Sequence, residues 1–161
     1  DTAQASFEIL ARRELGQMPD FFEVKRYRVT VERRKNKYNK MVSLSEAVVV
    51  VKVGDDKRLS VSESMDETGS DRGPVNALAK ALAKDLGQYQ DMIADMRLVD
   101  FKVRITQGGT EAVTRVIIDS EDAQGRRWAT VGVSPNIVDA SFEALIEAMQ
   151  WKILHDTRTG V

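Results

Sequence analysis

The sequence lacks most of the residues on which common catalytic and metal sites are built. Among its 161 residues there is no cysteine and only one histidine, His155. Disulfides, thiolate zinc sites, cysteine nucleophiles and paired histidine ligands are therefore excluded within this chain. No Gly-X-Ser-X-Gly elbow, Walker loop or dinucleotide fingerprint occurs either. The absence of cysteine fits a cytoplasmic protein, and we expect no metal or cofactor in this chain.

Long apolar runs and net charge are also scarce. The longest purely apolar stretch is Ala47 to Val51, far shorter than a membrane span. Lys and Arg number 24 against 25 Asp and Glu, which gives a formal net charge of -1. This balance does not indicate a nucleic acid or a membrane as partner, and we expect neither. The length fits about one domain. A chain that begins at Asp1 rather than Met fits a piece of a longer protein, and processing would leave the same start.

Hydrophobic periodicity predicts a short N-terminal helix and then two successive runs of three strands and a helix. Alternation from Tyr27 onward and the four valines at 48–51 favour strands. Pro74 suits the first position of a helix, and residues 35–44 are predicted to be a basic, polar connection. The first predicted element is a helix over 3–16. The first run then has strands over 21–34, 45–53 and 57–63 and a helix from Pro74. The second run has strands over 96–106, 110–119 and 126–133 and a helix from Ser134 to about His155.

The two runs resemble each other in their letters. Tyr27–Val31 (YRVTV) resembles Phe101–Ile105 (FKVRI), and Ser45–Val48 (SEAV) resembles Thr110–Val113 (TEAV). Such a duplication predicts an α+β fold in which two repeated strand–strand–strand–helix units form one pseudo-twofold domain, preceded by a short linker helix. The predicted organisation is a linker helix in residues 1–20 and a domain in residues 21–161, with units of about 21–89 and 96–157.

A loop of small residues leads into each of the two later helices. Free backbone N–H groups at a helix start favour an anion, either a phosphate or a carboxylate. Residues 70–76 form such a loop, although a well-capped helix start explains the same letters. Asp71 could neutralise an ammonium group beside this helix start, or could simply favour the helix dipole. A ligand with both charges would be an amino acid.

Apolar residues near this loop could line a pocket for an aliphatic side chain. They are Val75, Leu98, Phe101 and Ile105, and ordinary core packing is the alternative explanation. Acidic residues at 63–67 and 121–122 lie in polar loops, where a solvated surface explains them better than acid–base chemistry. The basic run 33–40 could contact RNA, but a solvated hairpin tip fits the balanced charge better.

Three segments carry a resemblance to a known family: Gly73–Leu78 (GPVNAL), Arg97–Val103 (RLVDFKV) and Trp128–Ile137 (WATVGVSPNI). They resemble the regulatory, or dimerisation, domain of 2-isopropylmalate synthases and citramalate synthases, in the family's order and spacing. The N-terminal helix resembles the segment that joins this domain to the preceding part of such enzymes. The phrases FFEVKRYRV and RLVDFKVRI are more similar to the citramalate synthase branch.

The resemblance implies feedback control rather than catalysis by this chain. Enzymes of the family are acyltransferases that condense acetyl-CoA with a 2-oxo acid, pyruvate in the citramalate branch, on a TIM barrel that uses a divalent metal. The implied effector is isoleucine for the citramalate branch and leucine for the isopropylmalate branch. The implied partners are a second copy of the chain, in a homodimer, and an upstream TIM-barrel catalytic domain.

The resemblance also implies effector contacts at both helix starts and on the strand between them. Backbone amides at the helix starts would bind the carboxylate of the effector amino acid, and apolar side chains would contact its hydrocarbon side chain. Asn76 is a candidate to bind its ammonium group. The candidate effector-binding residues are Asp71, Gly73, Val75, Asn76, Leu98, Phe101, Ile105, Val113, Val133, Pro135 and Ile137. Two alternatives stay in view, a dimerisation module without an effector and a small RNA-binding α+β domain.

Overall fold

A computed structural model describes residues 3–66 and 72–159 of the chain. Its helices and strands are α1 (Gln4–Glu14), β1 (Glu23–Lys35), β2 (Met41–Val53), β3 (Asp56–Asp66), α2 (Arg72–Lys84), α3 (Gln90–Ile93), β4 (Arg97–Gly108), β5 (Glu111–Glu121), β6 (Arg127–Ser134) and α4 (Ile137–Thr159). The strands form two antiparallel sheets, β1-β2-β3 and β4-β5-β6. The predicted α+β class and its two strand–strand–strand–helix runs are therefore confirmed.

The chain divides into two compact units. The first unit is Phe21–Gln90, and the second unit combines Asp1–Asp20 with Asp91–Val161. The described residues 3–20, which belong to the segment predicted to be a linker, thus group with the second unit, and each unit contains one three-stranded sheet.

In the first unit, α2 covers one face of the sheet. The strand β2 alternates, so that Ala47, Val49 and Val51 point to the covered side and are at most 2% exposed. Leu78 and Leu82 of α2 are fully buried. On the same face β3 contributes the buried Ser60, Ser62 and Ser64, which pair with Val49, Ala47 and Ser45 of β2. These small side chains leave room for the helix to approach the sheet.

In the second unit, α4 covers β5 and β6, and two side chains of β6 bond to its backbone. Trp128 Nε1 donates to the Ala148 carbonyl at 3.0 Å, and Thr130 Oγ1 donates to the Ala144 carbonyl at 2.7 Å. The next covered position is Gly132, where an added Cβ would overlap the Ala140 carbonyl. The helix therefore lies against the strand so closely that only a residue without a side chain fits there.

The helix α1 docks on α4 and on the outer edge of β6. Ile9 is fully buried. Ser6 Oγ accepts a hydrogen bond of 2.8 Å from the Val131 amide, and it donates to the Glu147 carboxylate. Trp151 Nε1 donates to Glu8 Oε1 at 3.2 Å. The segment predicted to be a linker is thus tied to the second unit by its own hydrogen bonds.

Several predicted boundaries differ from the structure. Residues 35–44 were expected to be a connection, but β1 extends to Lys35 and β2 begins at Met41. β1 and β2 are paired along their whole length, with Lys35 opposite Met41 at the end of the hairpin. Strand pairing gives the backbone N–H and C=O groups their hydrogen bonds, whatever the polarity of the exposed side chains. The helix α2 begins at Arg72, so Pro74 is its third residue, where its missing N–H still has no intrahelical partner to lose.

One predicted correspondence between the two units is shifted in the structure. Val29 pairs with Ala47, and its counterpart Val103 pairs with Val116. Ala47 therefore corresponds to Val116 rather than to Ala112, as the letters suggested. The first hairpin has longer strands and a longer loop than the second. Segments of similar sequence near the two loops therefore do not occupy equivalent positions in the sheets.

Candidate functional site

The candidate effector residues of the first unit lie at the start of α2. Gly73 is buried, Val75 is 5% exposed, and Asn76 is exposed to solvent. Asp71 lies outside the described residues. In the first unit, then, Val75 belongs to the packed core beneath the helix, while Asn76 keeps a free amide side chain at the surface.

The strand β4 carries three candidates of the second unit on one face. Leu98, Phe101 and Ile105 pair with Ser120, Ile118 and Thr114, whose side chains face α4. β4 is an edge strand of the sheet. Because α4 lies over β5 and β6, it leaves β4 partly uncovered. Leu98 and Phe101 are half-buried, and Ile105 is 66% exposed. The strand thus presents an apolar row with free surface.

The remaining candidates are divided between two places. Val113 pairs with Thr106, and Val133 pairs with Arg115. Paired residues lie on the same face of a sheet, and for these pairs it is the face that points away from α4. Pro135 and Ile137 lie at the start of α4. The structure therefore groups Leu98, Phe101 and Ile105 together and separates Val113 and Val133 from them.

The start of α4 is already capped. Asn136 Oδ1 accepts hydrogen bonds from the amides of Val138 and Asp139, at 2.7 and 3.2 Å. These are two of the donors that a helix start would otherwise offer to an anion. The sequence reasoning missed this cap, although an asparagine between Pro135 and an apolar periodic segment is a known start signal.

A cluster of charges inside the second unit was also missed. Lys152, only 1% exposed, lies within 3.3 Å of carboxylates of Asp95, Asp122 and Asp156. Burial alone would raise the pKa of Asp122, but hydrogen bonds from Arg126 and Lys152 outweigh it and lower that pKa. Each of these charges has a partner, so removing one of them would leave a buried charge uncompensated.

A groove of about 630 Å³ runs between α1 and the sheet of the second unit. Its apolar wall includes Phe7, Leu10 and Val131, of which Phe7 is 74% exposed and Leu10 is 56% exposed. Arg115 and Glu147 supply its charges. Burial raises the pKa of Glu147, although its hydrogen bond from Ser6 opposes this. Only the contact between α1 and the sheet creates this groove, and no local pattern in the sequence shows it.

Within residues 3–66 and 72–159, no group of three or more His, Cys, Asp or Glu side chains is arranged to hold a metal ion. Over the same residues, no helix is both long enough and apolar enough to cross a membrane.

The described residues thus form two repeated strand–strand–strand–helix units, and the second unit holds a buried ion-pair cluster and an apolar row on the edge strand β4. The sequence matches the family described as LeuA allosteric (dimerisation) domain over residues 1–153. The chain belongs to this family.

Several curated proteins are similar to the chain. The (R)-citramalate synthase of Geobacter sulfurreducens is 41% identical over 153 residues, which are 94% of this chain and 27% of that protein. The (R)-citramalate synthase of Aquifex aeolicus is 37% identical over 164 residues, which are 100% of this chain and 29% of that protein. A probable 2-isopropylmalate synthase of Methanosarcina acetivorans is 39% identical over 77 residues, 48% of this chain and 14% of that protein. The chain thus spans under a third of the length of the citramalate synthases that it matches.

Proposed function

We propose that this chain is the feedback-regulatory domain of a citramalate synthase and that it binds a branched-chain amino acid. The observation that carries the proposal is the apolar row of Leu98, Phe101 and Ile105 on the edge strand β4, which α4 leaves partly uncovered. The family's description as allosteric supports the same function. An aliphatic ligand side chain that covered this row would remove apolar surface from water, at about 25 cal/mol per Å².

The effector that we propose is isoleucine. The citramalate synthases match over nearly the whole chain, whereas the 2-isopropylmalate synthase matches about half of it, and isoleucine is the end product that the sequence resemblance assigns to the citramalate branch. Leucine is the alternative. The two ligands differ by one shifted methyl group, which an apolar pocket distinguishes by about 1–3 kcal/mol.

The wider proposal concerns the parent protein. Its condensation of acetyl-CoA with pyruvate, its divalent metal and its catalytic barrel are expected outside this chain. The chain itself would supply a homodimer contact and the effector site. Because two sites are coupled only when a ligand binds two states with different affinity, the chain alone is expected to bind effector without showing inhibition.

Thermal unfolding tests the proposal on the chain as it stands. Isoleucine, leucine and valine are added separately at fixed protein concentration. A ligand at 100 times its dissociation constant stabilises by about 2.7 kcal/mol, or about 5–10 °C in Tm for a domain of this size. We expect the largest shift with isoleucine. A larger shift with leucine would move the parent to the isopropylmalate branch, and no shift with any of the three would favour an assembly module without effector.

Two variants locate the ligand. Ile105→Ala shortens the exposed end of the apolar row, and Val31→Ala makes the matched change at the corresponding position of the first unit, where Val31 is 53% exposed. Neither residue is buried, so both variants should fold. We expect Ile105→Ala to reduce the isoleucine-induced shift at a fixed ligand concentration and Val31→Ala to leave it unchanged. If isoleucine shifted the Tm of both variants equally, the apolar row on β4 would not be part of the binding site.

A further inference from the structure

The groove between α1 and the second sheet is lined by residues of the second unit alone, and it shares none of them with the candidate effector residues. Its volume of about 630 Å³ lies within the range of about 300–1,000 Å³ that is usual for small-molecule sites. Phe7 and Leu10, one turn apart on α1, form its apolar wall together with Val131 of β6. Because Phe7 is 74% exposed and Leu10 is 56% exposed, this wall is accessible to a ligand.

The groove offers side chains rather than free backbone groups. The Val131 amide, on the edge of β6 beside α1, already donates a hydrogen bond of 2.8 Å to Ser6 Oγ. A peptide strand that added to β6 at this point would need that amide as a donor. The lining therefore suits a ligand that is recognised by its apolar body and its charge.

The cation of the groove is Arg115 of β5, which is exposed. Among the side chains that the structure describes, Arg115 has neither an ion pair nor a hydrogen bond. It stands directly opposite Arg104 of β4, and like charges at opposed positions of a sheet are destabilising. An anion at Arg115 would reduce this repulsion and would form charge-assisted hydrogen bonds with a guanidinium that has no other partner.

The carboxylate of the groove is Glu147 of α4, and its charge is already engaged within the fold. Glu147 accepts a hydrogen bond from Ser6, and its Oε1 lies 3.8 Å from Arg13 Nη1. Only 22% of its side chain is exposed. Of the two charged side chains that line the groove, Arg115 is therefore the one that is free to bind a ligand.

We propose that this groove binds a small aliphatic carboxylate, with the carboxylate on Arg115 and the hydrocarbon chain along Phe7, Leu10 and Val131. The wall from Ala3 to Leu10 is about 10 Å long, at about 1.5 Å per helical residue, which suits a chain of several carbons. A ligand in this position contacts α1 and the sheet at once, so its binding holds α1 against the sheet. The site is separate from the apolar row on β4 and does not depend on the proposed effector.

Isothermal titration calorimetry of the 161-residue chain with butanoate, hexanoate and octanoate tests the proposal. We expect saturable binding that strengthens about fourfold for each methylene group that the groove buries. Hexanol and hexylamine have the same hydrocarbon chain without the carboxylate, and each should bind at least about tenfold more weakly than hexanoate. Absence of saturable binding for all three carboxylates at millimolar concentration would overturn the proposal, and so would equal binding of hexanol and hexanoate.

Two pairs of variants locate the bound ligand. Arg115→Met should weaken hexanoate binding at least about tenfold. Arg104→Met removes the neighbouring arginine, which does not line the groove, and should change binding by no more than about threefold, because exposed charges are screened by salt. Phe7→Ala should weaken binding several-fold, whereas Leu15→Ala, at a position that is 69% exposed and outside the groove, should not. Equal losses within either pair would contradict the assigned contacts, and circular dichroism shows that each variant keeps its fold.

Hydrogen exchange with and without hexanoate shows which segment the ligand contacts. We expect slower exchange of the α1 amides over Gln4–Glu14 when hexanoate is bound. Protection confined to β4 and the start of α4 would place the carboxylate in the proposed effector site and overturn a separate site in the groove.

Norleucine, which is hexanoate with an added α-ammonium group, separates a carboxylate site from an amino-acid site. We expect it to bind the groove more weakly than hexanoate, because Glu147 is engaged by Ser6 and Arg13. Tighter binding of norleucine that is lost in Arg115→Met would overturn the assignment to a simple carboxylate. Ile105→Ala should leave hexanoate binding unchanged, so a failure of the effector proposal and a failure of the groove proposal are distinguishable.

Discussion

Lys152 Nζ lies 3.3 Å from Asp122 Oδ2, and neither side chain reaches solvent, at 1% and 0% exposure. The same ammonium also contacts Asp95 at 3.3 Å and Asp156 at 2.7 Å. Lys152 on α4 therefore holds the β5–β6 turn, through Asp122, and the segment before β4, through Asp95, against the helix. One buried ammonium thus contacts carboxylates from three segments of the second unit.

Replacing Lys152 by methionine is expected to destabilise the chain by about 3–5 kcal/mol, because it leaves buried carboxylates without their cation. Urea unfolding followed by circular dichroism measures the change. Arg127→Met is the control, since Arg127 pairs with Glu121 at the surface with 66% of its side chain exposed and should cost at most about 1 kcal/mol. Similar effects for the two variants would show that the buried cluster contributes no more than a surface pair.

The docking of α1 is expected to weaken in acid through Glu8. Burial alone would raise the pKa of Glu8, but hydrogen bonds from Arg12 and Trp151 and the charge of His155 outweigh it and lower that pKa. A lowered folded-state pKa gives stability that is present above the unfolded-state value, about 4.5, and is lost as the pH falls through the folded-state value.

Comparison of the unchanged chain with Glu8→Gln isolates this contribution, because Glu147, whose pKa is raised by burial, is the same in both. At pH 7 we expect Glu8→Gln to be less stable by up to about 1 kcal/mol, and the difference to shrink below pH 4.5. Denaturant titrations across pH, read by tryptophan fluorescence, measure it, and Glu14→Gln on the exposed side of α1 is the control. A difference that persists unchanged to pH 2 would contradict the assigned role.

Gly132→Ala is expected to destabilise the second unit by about 1–3 kcal/mol, because the new Cβ overlaps the backbone of α4 at Ala140. Gly16→Ala is the comparison. Gly16 has a φ of +67° with nothing within 4 Å, so its cost comes from backbone strain alone, about 1 kcal/mol. Calorimetry measures both values, and a Gly132→Ala chain as stable as the unchanged one would show that the helix can move away from the strand.

Much of the fold followed from local patterns. The valines at 48–51 predicted a strand, and Tyr27–Val31 and Phe101–Ile105 predicted equivalent first strands. These inferences succeed because alternation and side-chain branching act within a few residues. The start of α2 near Gly73 and Pro74 followed from the same kind of short-range rule.

The features that could not be predicted from the sequence depend on contacts between segments that are distant along the chain. Lys152 stands four residues before Asp156 and therefore looks like an exposed helical pair, yet Asp95 and Asp122 arrive from elsewhere in the chain and bury it. The groove beside α1 arises only where that helix meets Val131 and Arg115. For the candidate site, the row on β4 could be predicted from its letters, while the separation of Val113 and Val133 from it depends on strand register.

The most direct test of the central claim is isothermal titration calorimetry of isoleucine into the unchanged 161-residue chain, with leucine titrated in parallel. The account predicts saturable binding of isoleucine, tighter than leucine by about 5- to 150-fold, with a negative heat-capacity change from burial of apolar surface. A folded chain that gives no saturable heat with isoleucine or leucine at millimolar concentration, and no shift in Tm, would contradict it.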